Sequence, residues 1–188
     1  MLCETCSFAT IFCCLGQYKK NIMKQLILIR HAKSDWGNPG LDDIDRPLNN
    51  RGKKDAPAMA QRLLDKKVKI DAFIASPAKR AAKTANFFAE AFKRKKEDIV
   101  FKEKLYLAEP ATFFSVIANA DDKFKTIAIF SHNYGITDFA NSLSDVRIDN
   151  IPTCGMFAIK ADCDTWSGFK DAKKEFWFFD YPKSGLND

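Results

Sequence analysis

Three short apolar runs constrain this chain more than any other feature. Each is followed at once by polar residues and then by a helical pattern. Lys24-Gln-Leu-Ile-Leu-Ile29 reads as a buried strand, Asp71-Ala-Phe-Ile-Ala75 as a second, and Thr126-Ile-Ala-Ile-Phe130 as a later one. Continuous apolar strands need cover on both faces of their sheet. The intervening segments can supply it. Residues 51–67 carry Ala56, Met59, Ala60, Leu63 and Leu64 at helical spacing, and residues 77–95 carry Ala81, Ala85, Phe88, Ala89 and Phe92 along one face. Residues 112–120 and 136–143 read as further helices and 99–101 as a short strand. Residues 155–159 and 175–179 read as late strands, paired as a hairpin at the sheet edge. The expectation is an α/β fold, a three-layer α/β/α sandwich around a mostly parallel sheet.

Composition supports one such domain. The chain has 188 residues, 46% of them hydrophobic, with 17 Phe to fill a core. No apolar run reaches the length of a membrane span. The net charge of +6 favours anionic partners without choosing among phosphate esters, nucleic acid and lipid. Cys3, Cys6, Cys13 and Cys14 crowd into the start of the chain, and only Cys154 and Cys163 lie in the rest. A disulfide scaffold would spread its cysteines, so a reducing, cytoplasmic compartment is expected. The adjacent Cys13 and Cys14 suit a tetrahedral zinc site poorly, and no metal is expected. Residues 1–22 look foreign to the rest of the chain: an apolar stretch without the basic start of an export signal, then a clean strand after Met23. They are read as an extra segment outside the fold, with translation starting at Met23. A degenerate export signal and a short partner-binding arm are the alternatives. Residues 23–188 form the expected domain.

In a sheet of this type ligands bind beyond the carboxyl ends of the strands. Three strand ends carry chemistry: Arg30-His31-Ala32-Lys33-Ser34, Ser76-Pro77-Ala78-Lys79-Arg80 and Ser131-His132-Asn133. The chain has 2 His, and each directly follows a buried strand. With Ser76 as N-cap and Pro77 in the first helical position, Arg80 lies one turn into its helix, and its side chain leans back over the strand end. Arg30 and Arg80 can each grip phosphate oxygens through two parallel N–H bonds, with His132 as a further donor. That leaves His31 to attack phosphorus in line. Singly these residues are ordinary surface or capping groups; together, after three separate buried strands, they read as a site.

At these positions the sequence resembles the histidine phosphatase superfamily, the phosphoglycerate-mutase-like clan. Arg30-His31 resembles its signature, with Ala32 where Gly is common. Ser76-Pro-x-x-Arg80-Ala81-x-x-Thr84-Ala85 and Ser131-His132-Asn133 resemble its second and third blocks. Asp45-Arg46-Pro47-Leu48-x-x-x-Gly52 is similar to the small bacterial phosphohistidine phosphatases, the SixA-type branch. The resemblance runs from Met23 to about Phe179. It implies a phosphoglycerate-mutase-like fold, a phosphohistidine intermediate at His31, phosphate contacts from Arg30, Arg80 and His132, and no metal or cofactor. Many mutase-like members carry a Trp-Asn pair after the signature. Here Gly37 follows Trp36 and Asn38 comes one step later, so no phosphate role is carried over to Asn38.

The resemblance also implies a carboxylic acid that protonates the leaving group, from the segment after the third strand. Glu109 in Leu107-Ala-Glu-Pro110 is the candidate, with an exposed loop carboxylate as the alternative. Phosphohistidine is a phosphoramidate with a good leaving group, for which a strong acid is dispensable. Asp45 is a weaker candidate for orienting Arg46 near the site. The basic run Lys93-Arg-Lys-Lys96 reads as solvated surface complementing a helix dipole, so no nucleic acid is expected. The expected activity is a phosphatase acting on phosphohistidine in a protein. A phosphatase for small phosphate esters and a non-catalytic phosphate-binding module are the alternatives. The chain leaves little room for an inserted lid, and an open site favours a protein-borne phosphoryl group.

Overall fold

The computed structural model describes residues 23–184. The expectations for residues 1–22 and their four cysteines lie outside the described residues. The sheet has the order β3-β2-β4-β1-β5-β6, with β1 Met23–Arg30, β2 Ala72–Ala75, β3 Ile99–Phe101, β4 Thr126–Ser131, β5 Met156–Asp162 and β6 Lys174–Asp180. β1, β4, β2 and β3 run parallel. β5 runs antiparallel to β1, and β6 antiparallel to β5 at the edge, which is the expected late hairpin.

Alternation along the strands divides the core into two layers. Leu26, Leu28, Ile127, Ile129 and Phe157 face one side, where they meet α3 Pro110–Ala118 and α4 Gly135–Ser142 through Phe113, Ile117, Ile136 and Phe139. Ile27, Ile29, Ala128, Phe130 and Met156 face the other, under α1 Asn50–Asp65 and α2 Lys79–Ala91 through Met59, Leu63, Ala85 and Phe88. Each fully buried Phe, Leu or Ile contributes roughly 1.5–3 kcal/mol. This is the three-layer sandwich that the apolar strands call for.

Two details differ from the sequence expectation. α2 begins at Lys79 with Ala78 as its N-cap, and no side chain caps it. Ser76 and Pro77 therefore precede the helix. Ser76 Oγ is engaged elsewhere, and Arg80 stands in the first turn. α1 starts at Asn50, capped by the Asn49 side chain, which accepts from the Gly52 N–H at 2.9 Å. Gly52 is required there: a Cβ would lie 2.3 Å from the Lys33 carbonyl oxygen. That close approach presses the start of α1 against the loop after β1.

Strand register sets the site. Arg30 pairs with Ser131, and Ala75 pairs with Phe130. The next residues along each strand, His31, Ser76 and His132, leave the sheet side by side. The His31 N–H donates to Ser131 at 3.0 Å and the Ser76 N–H to Phe130 at 3.0 Å, which locks the three ends together.

Candidate active site

A cleft of about 890 Å³ opens above these strand ends. Arg30, His31, Arg80 and His132 all line it, so four of the five candidate site residues come together. Glu109 does not. It is the exposed N-cap of α3, makes no side-chain cap bond and is absent from the cleft lining.

His31 is buried, and its Nδ1 lies 2.8 Å from the Ala32 carbonyl oxygen. A carbonyl only accepts, so Nδ1 carries the proton and Nε2 keeps its lone pair. Burial, together with the positive charges of Arg80, Arg30 and Arg46, lowers its pKa to about 3, against an opposing contribution from the Ala32 bond. The imidazole is neutral at physiological pH.

His132 lies beside it, with ring centroids 5.1 Å apart. Its Nε2 is hydrogen-bonded to Ser76 Oγ at 2.8 Å, and its Nδ1 is buried without a partner among the described residues. Burial lowers its pKa to about 3, helped by His31 and Arg80 and opposed by Asp43. The Ser76 hydroxyl thus holds a cleft histidine rather than capping α2.

Arg30 Nη1 donates to Asn150 Oδ1 at 3.0 Å and to the Ile151 carbonyl at 2.8 Å, while Nε is buried and unpartnered among the described residues. Asn150 Oδ1 also accepts from Asn133 Nδ2, and Asn133 Oδ1 accepts from Thr137 Oγ1 at 2.8 Å. A buried N–H with no partner costs free energy unless a ligand takes it.

Arg80 is anchored by Asp43, which lies in the short 3-10 turn Asp43–Asp45. Nη2 donates to Asp43 Oδ2 at 2.8 Å and Nη1 to the Asp43 carbonyl. The same carboxylate accepts from Arg46 Nη1 at 2.7 Å and from the Tyr106 hydroxyl at 2.8 Å. Burial raises the Asp43 pKa, but the bonds from Tyr106 and Arg80, the Arg80 charge and the Arg46 bond outweigh it and hold it at about 2. Asp45, the sequence candidate for orienting Arg46, instead pairs with Lys79 at 3.2 Å. Arg46 also donates to Ser34 Oγ at 2.5 Å and lies 3.2 Å from the centroid of the Trp36 ring.

Thr84 ties α2 to the loop after β1. Its Oγ1 accepts from the Ala32 N–H at 3.0 Å and donates to the Arg80 carbonyl at 2.7 Å. The assembly converges guanidinium and imidazole donors on a neutral ring nitrogen. Such an arrangement can hold a tetrahedral anion in line with that nitrogen. Sequence reasoning did not single out Asp43, Tyr106 or Asn150. Among the described residues no group of three or more His, Cys, Asp or Glu is placed to hold a metal ion.

Comparison with known proteins agrees with this geometry. A sequence model of the histidine phosphatase superfamily (branch 1) matches residues 26–106. The structure is similar to that of the SixA protein of Agrobacterium tumefaciens, with a TM-score of 0.72 and 25% identity, covering 85% of this chain and 98% of that one. It also shares its fold with a protein histidine phosphatase SixA complexed with tungstate, with a TM-score of 0.71 and 18% identity, covering 84% and 97%. An uncharacterized chloroplastic protein of Arabidopsis thaliana is 27% identical over 172 residues, covering 87% of this chain and 78% of its own length. Phosphoserine phosphatase 1 of Hydrogenobacter thermophilus is 42% identical over 71 residues, covering 37% and 33%. The strand-end Arg-His and Ser-His pairs, the helix-borne arginine and these matches point the same way: the chain resembles the histidine phosphatase superfamily over residues 26–106 and, in its structure, the SixA-type branch.

Proposed function

We propose that this protein is a metal-independent phosphatase acting on phosphohistidine carried by a protein. In the first step Nε2 of His31 attacks phosphorus in line, and the bond from phosphorus to the substrate imidazole breaks. Arg30, Arg80 and His132 stabilise charge on the equatorial oxygens. Water then attacks the phosphoryl group on His31, the P–Nε2 bond breaks, and inorganic phosphate leaves. His31 returns with its Nδ1–H still on the Ala32 carbonyl.

One observation carries the choice of substrate. Among the residues lining the cleft, Asp43 is the only carboxylic acid, and its contacts keep it ionised. It cannot give a proton to a departing alkoxide at neutral pH. A phosphohistidine protonated on its other ring nitrogen leaves as neutral imidazole and needs no such donor. The open cleft fits a protein-borne group: α3 buries Phe113, Val116 and Ile117 in the core, so this helix builds no lid. The free thiols Cys154 and Cys163 agree with a reducing, cytoplasmic setting, and among the described residues no helix is long and apolar enough to cross a membrane.

The local match to a protein named phosphoserine phosphatase 1 favours small esters as the second reading. Side-by-side rates on a phosphohistidine peptide, phosphoserine and a panel of sugar phosphates test the choice. Phosphohistidine should lead in kcat/KM by at least about a hundred-fold, on the order of one general-acid contribution. A preference for phosphoserine or a sugar phosphate would overturn the assignment.

A further inference from the structure

The three most exposed large apolar side chains among the described residues all rim the phosphoryl cleft: Tyr134 at 81%, Trp36 at 71% and Leu107 at 62%. The next are Val100 and Phe101 at 45% and Leu41 at 38%, outside the cleft lining. Single exposed apolar residues are normal on any surface; their concentration at one mouth is not.

The backbone at this mouth is specialised to hold them there. Leu107 has φ 51°, a left-handed conformation unfavourable for a bulky side chain, yet that side chain stands in solvent. Strain of this kind persists where function retains it. At Gly135 a Cβ would lie 1.7 Å from the Ala108 carbonyl oxygen. Only glycine lets the start of α4 press against that loop, and this contact sets Tyr134 beside Leu107. Trp36 is fixed in turn by the Arg46 guanidinium against its ring.

The position of the rim selects its occupant. Anything that covers these side chains while a phosphoryl group reaches His31 must be continuous with that group. A lipid surface or a second copy of this chain lying on the rim would close the cleft. A free sugar phosphate offers mostly polar surface and no side chain to cover Leu107. We infer that Trp36, Leu107 and Tyr134 form an apolar collar that takes the apolar side chains flanking a phosphohistidine on a protein. The inference rests on the phosphohistidine reading above. Aromatic and aliphatic anchors around a polar centre are the usual carriers of affinity at protein contacts.

The test uses two chemically phosphorylated peptides with a central phosphohistidine, one flanked by Leu and Phe and the other by Ser and Gly, together with free phosphohistidine. Wild type should favour the apolar flanks by about ten-fold or more in kcat/KM, mostly through KM. Leu107→Ala and Tyr134→Ala should each lose about ten-fold on the apolar peptide, with rates on free phosphohistidine and melting temperatures unchanged. Equal kcat/KM for both peptides in wild type would overturn the collar alone. Equal losses on free phosphohistidine would also overturn it, because the residues would then act on the phosphoryl group itself. A wild type that hydrolyses small esters but none of the three histidine-borne substrates would overturn the phosphohistidine reading and the collar with it.

Discussion

Asp43 takes the guanidinium of Arg80 on both its backbone carbonyl and its Oδ2, the latter at 2.8 Å, although the two residues are 37 positions apart. A buried arginine held from one side presents its remaining N–H groups in a fixed plane. Arg80→Lys keeps the charge but loses that fork. It should lower kcat by about 10²–10³ and weaken vanadate inhibition in parallel. Asp43→Asn should cost less, about ten-fold, because it disorients the clamp without removing it. The double variant should be no slower than Arg80→Lys alone, since the two act as one unit. Additive losses would mean that Asp43 acts separately from Arg80.

His31→Ala should abolish turnover and leave the fold intact. His31 is the cleft imidazole whose Nδ1–H is committed to a carbonyl, which leaves Nε2 free to attack. Quenching wild type with labelled substrate under alkaline conditions should trap a phosphoenzyme that the variant lacks. Turnover retained in His31→Ala would exclude covalent catalysis at this residue.

The strand ends were legible because their signal is local. A buried apolar run followed by Arg-His or Ser-His can be read without knowing its neighbours, and parallel pairing then aligns the ends. Asp43 was not legible for the opposite reason. It stands in Asp42-Asp43-Ile44-Asp45, where three carboxylates look alike, and only the turn geometry sends Asp43 to Arg80 and Asp45 to Lys79. Ser76 reads as an N-cap because Ser-Pro before a helical pattern is a strong N-cap signal. Here a tertiary partner, His132 at 2.8 Å, takes the hydroxyl. Asn150 reaches Arg30 across 120 residues, a separation that no local pattern encodes.

Turnover should survive exhaustive chelation. Among the described residues no group of three or more His, Cys, Asp or Glu is placed to hold a metal ion. Loss of activity on chelation, restored by zinc or magnesium, would require a different phosphoryl site.

The two histidines also make stability depend on pH. Each has its pKa lowered from 6.5 to about 3, chiefly by burial, so both are neutral in the native state throughout the mildly acidic range. The unfolded chain binds a proton at each below about 6.5. Between roughly pH 6.5 and 3 the unfolded state therefore holds more protons, and acid favours unfolding. The contribution is fully present above pH 6.5 and is lost as pH falls toward 3. Its slope reaches about 1.4 kcal/mol per pH unit for each histidine. Urea melts at pH 7, 6 and 5 should show unfolding free energy dropping by on the order of 2 kcal/mol per histidine over that span. His132→Gln should remove about half of the drop. Saturating vanadate should also reduce it, because an anion against His132 favours its protonated form. A flat profile from pH 7 to 5 would mean that both imidazoles titrate in the native state near their ordinary value of 6.5. His31 would then lose its free lone pair to a proton below about pH 6.5, and the acid limb of kcat/KM for a stable phosphate ester would lie there instead of near 3.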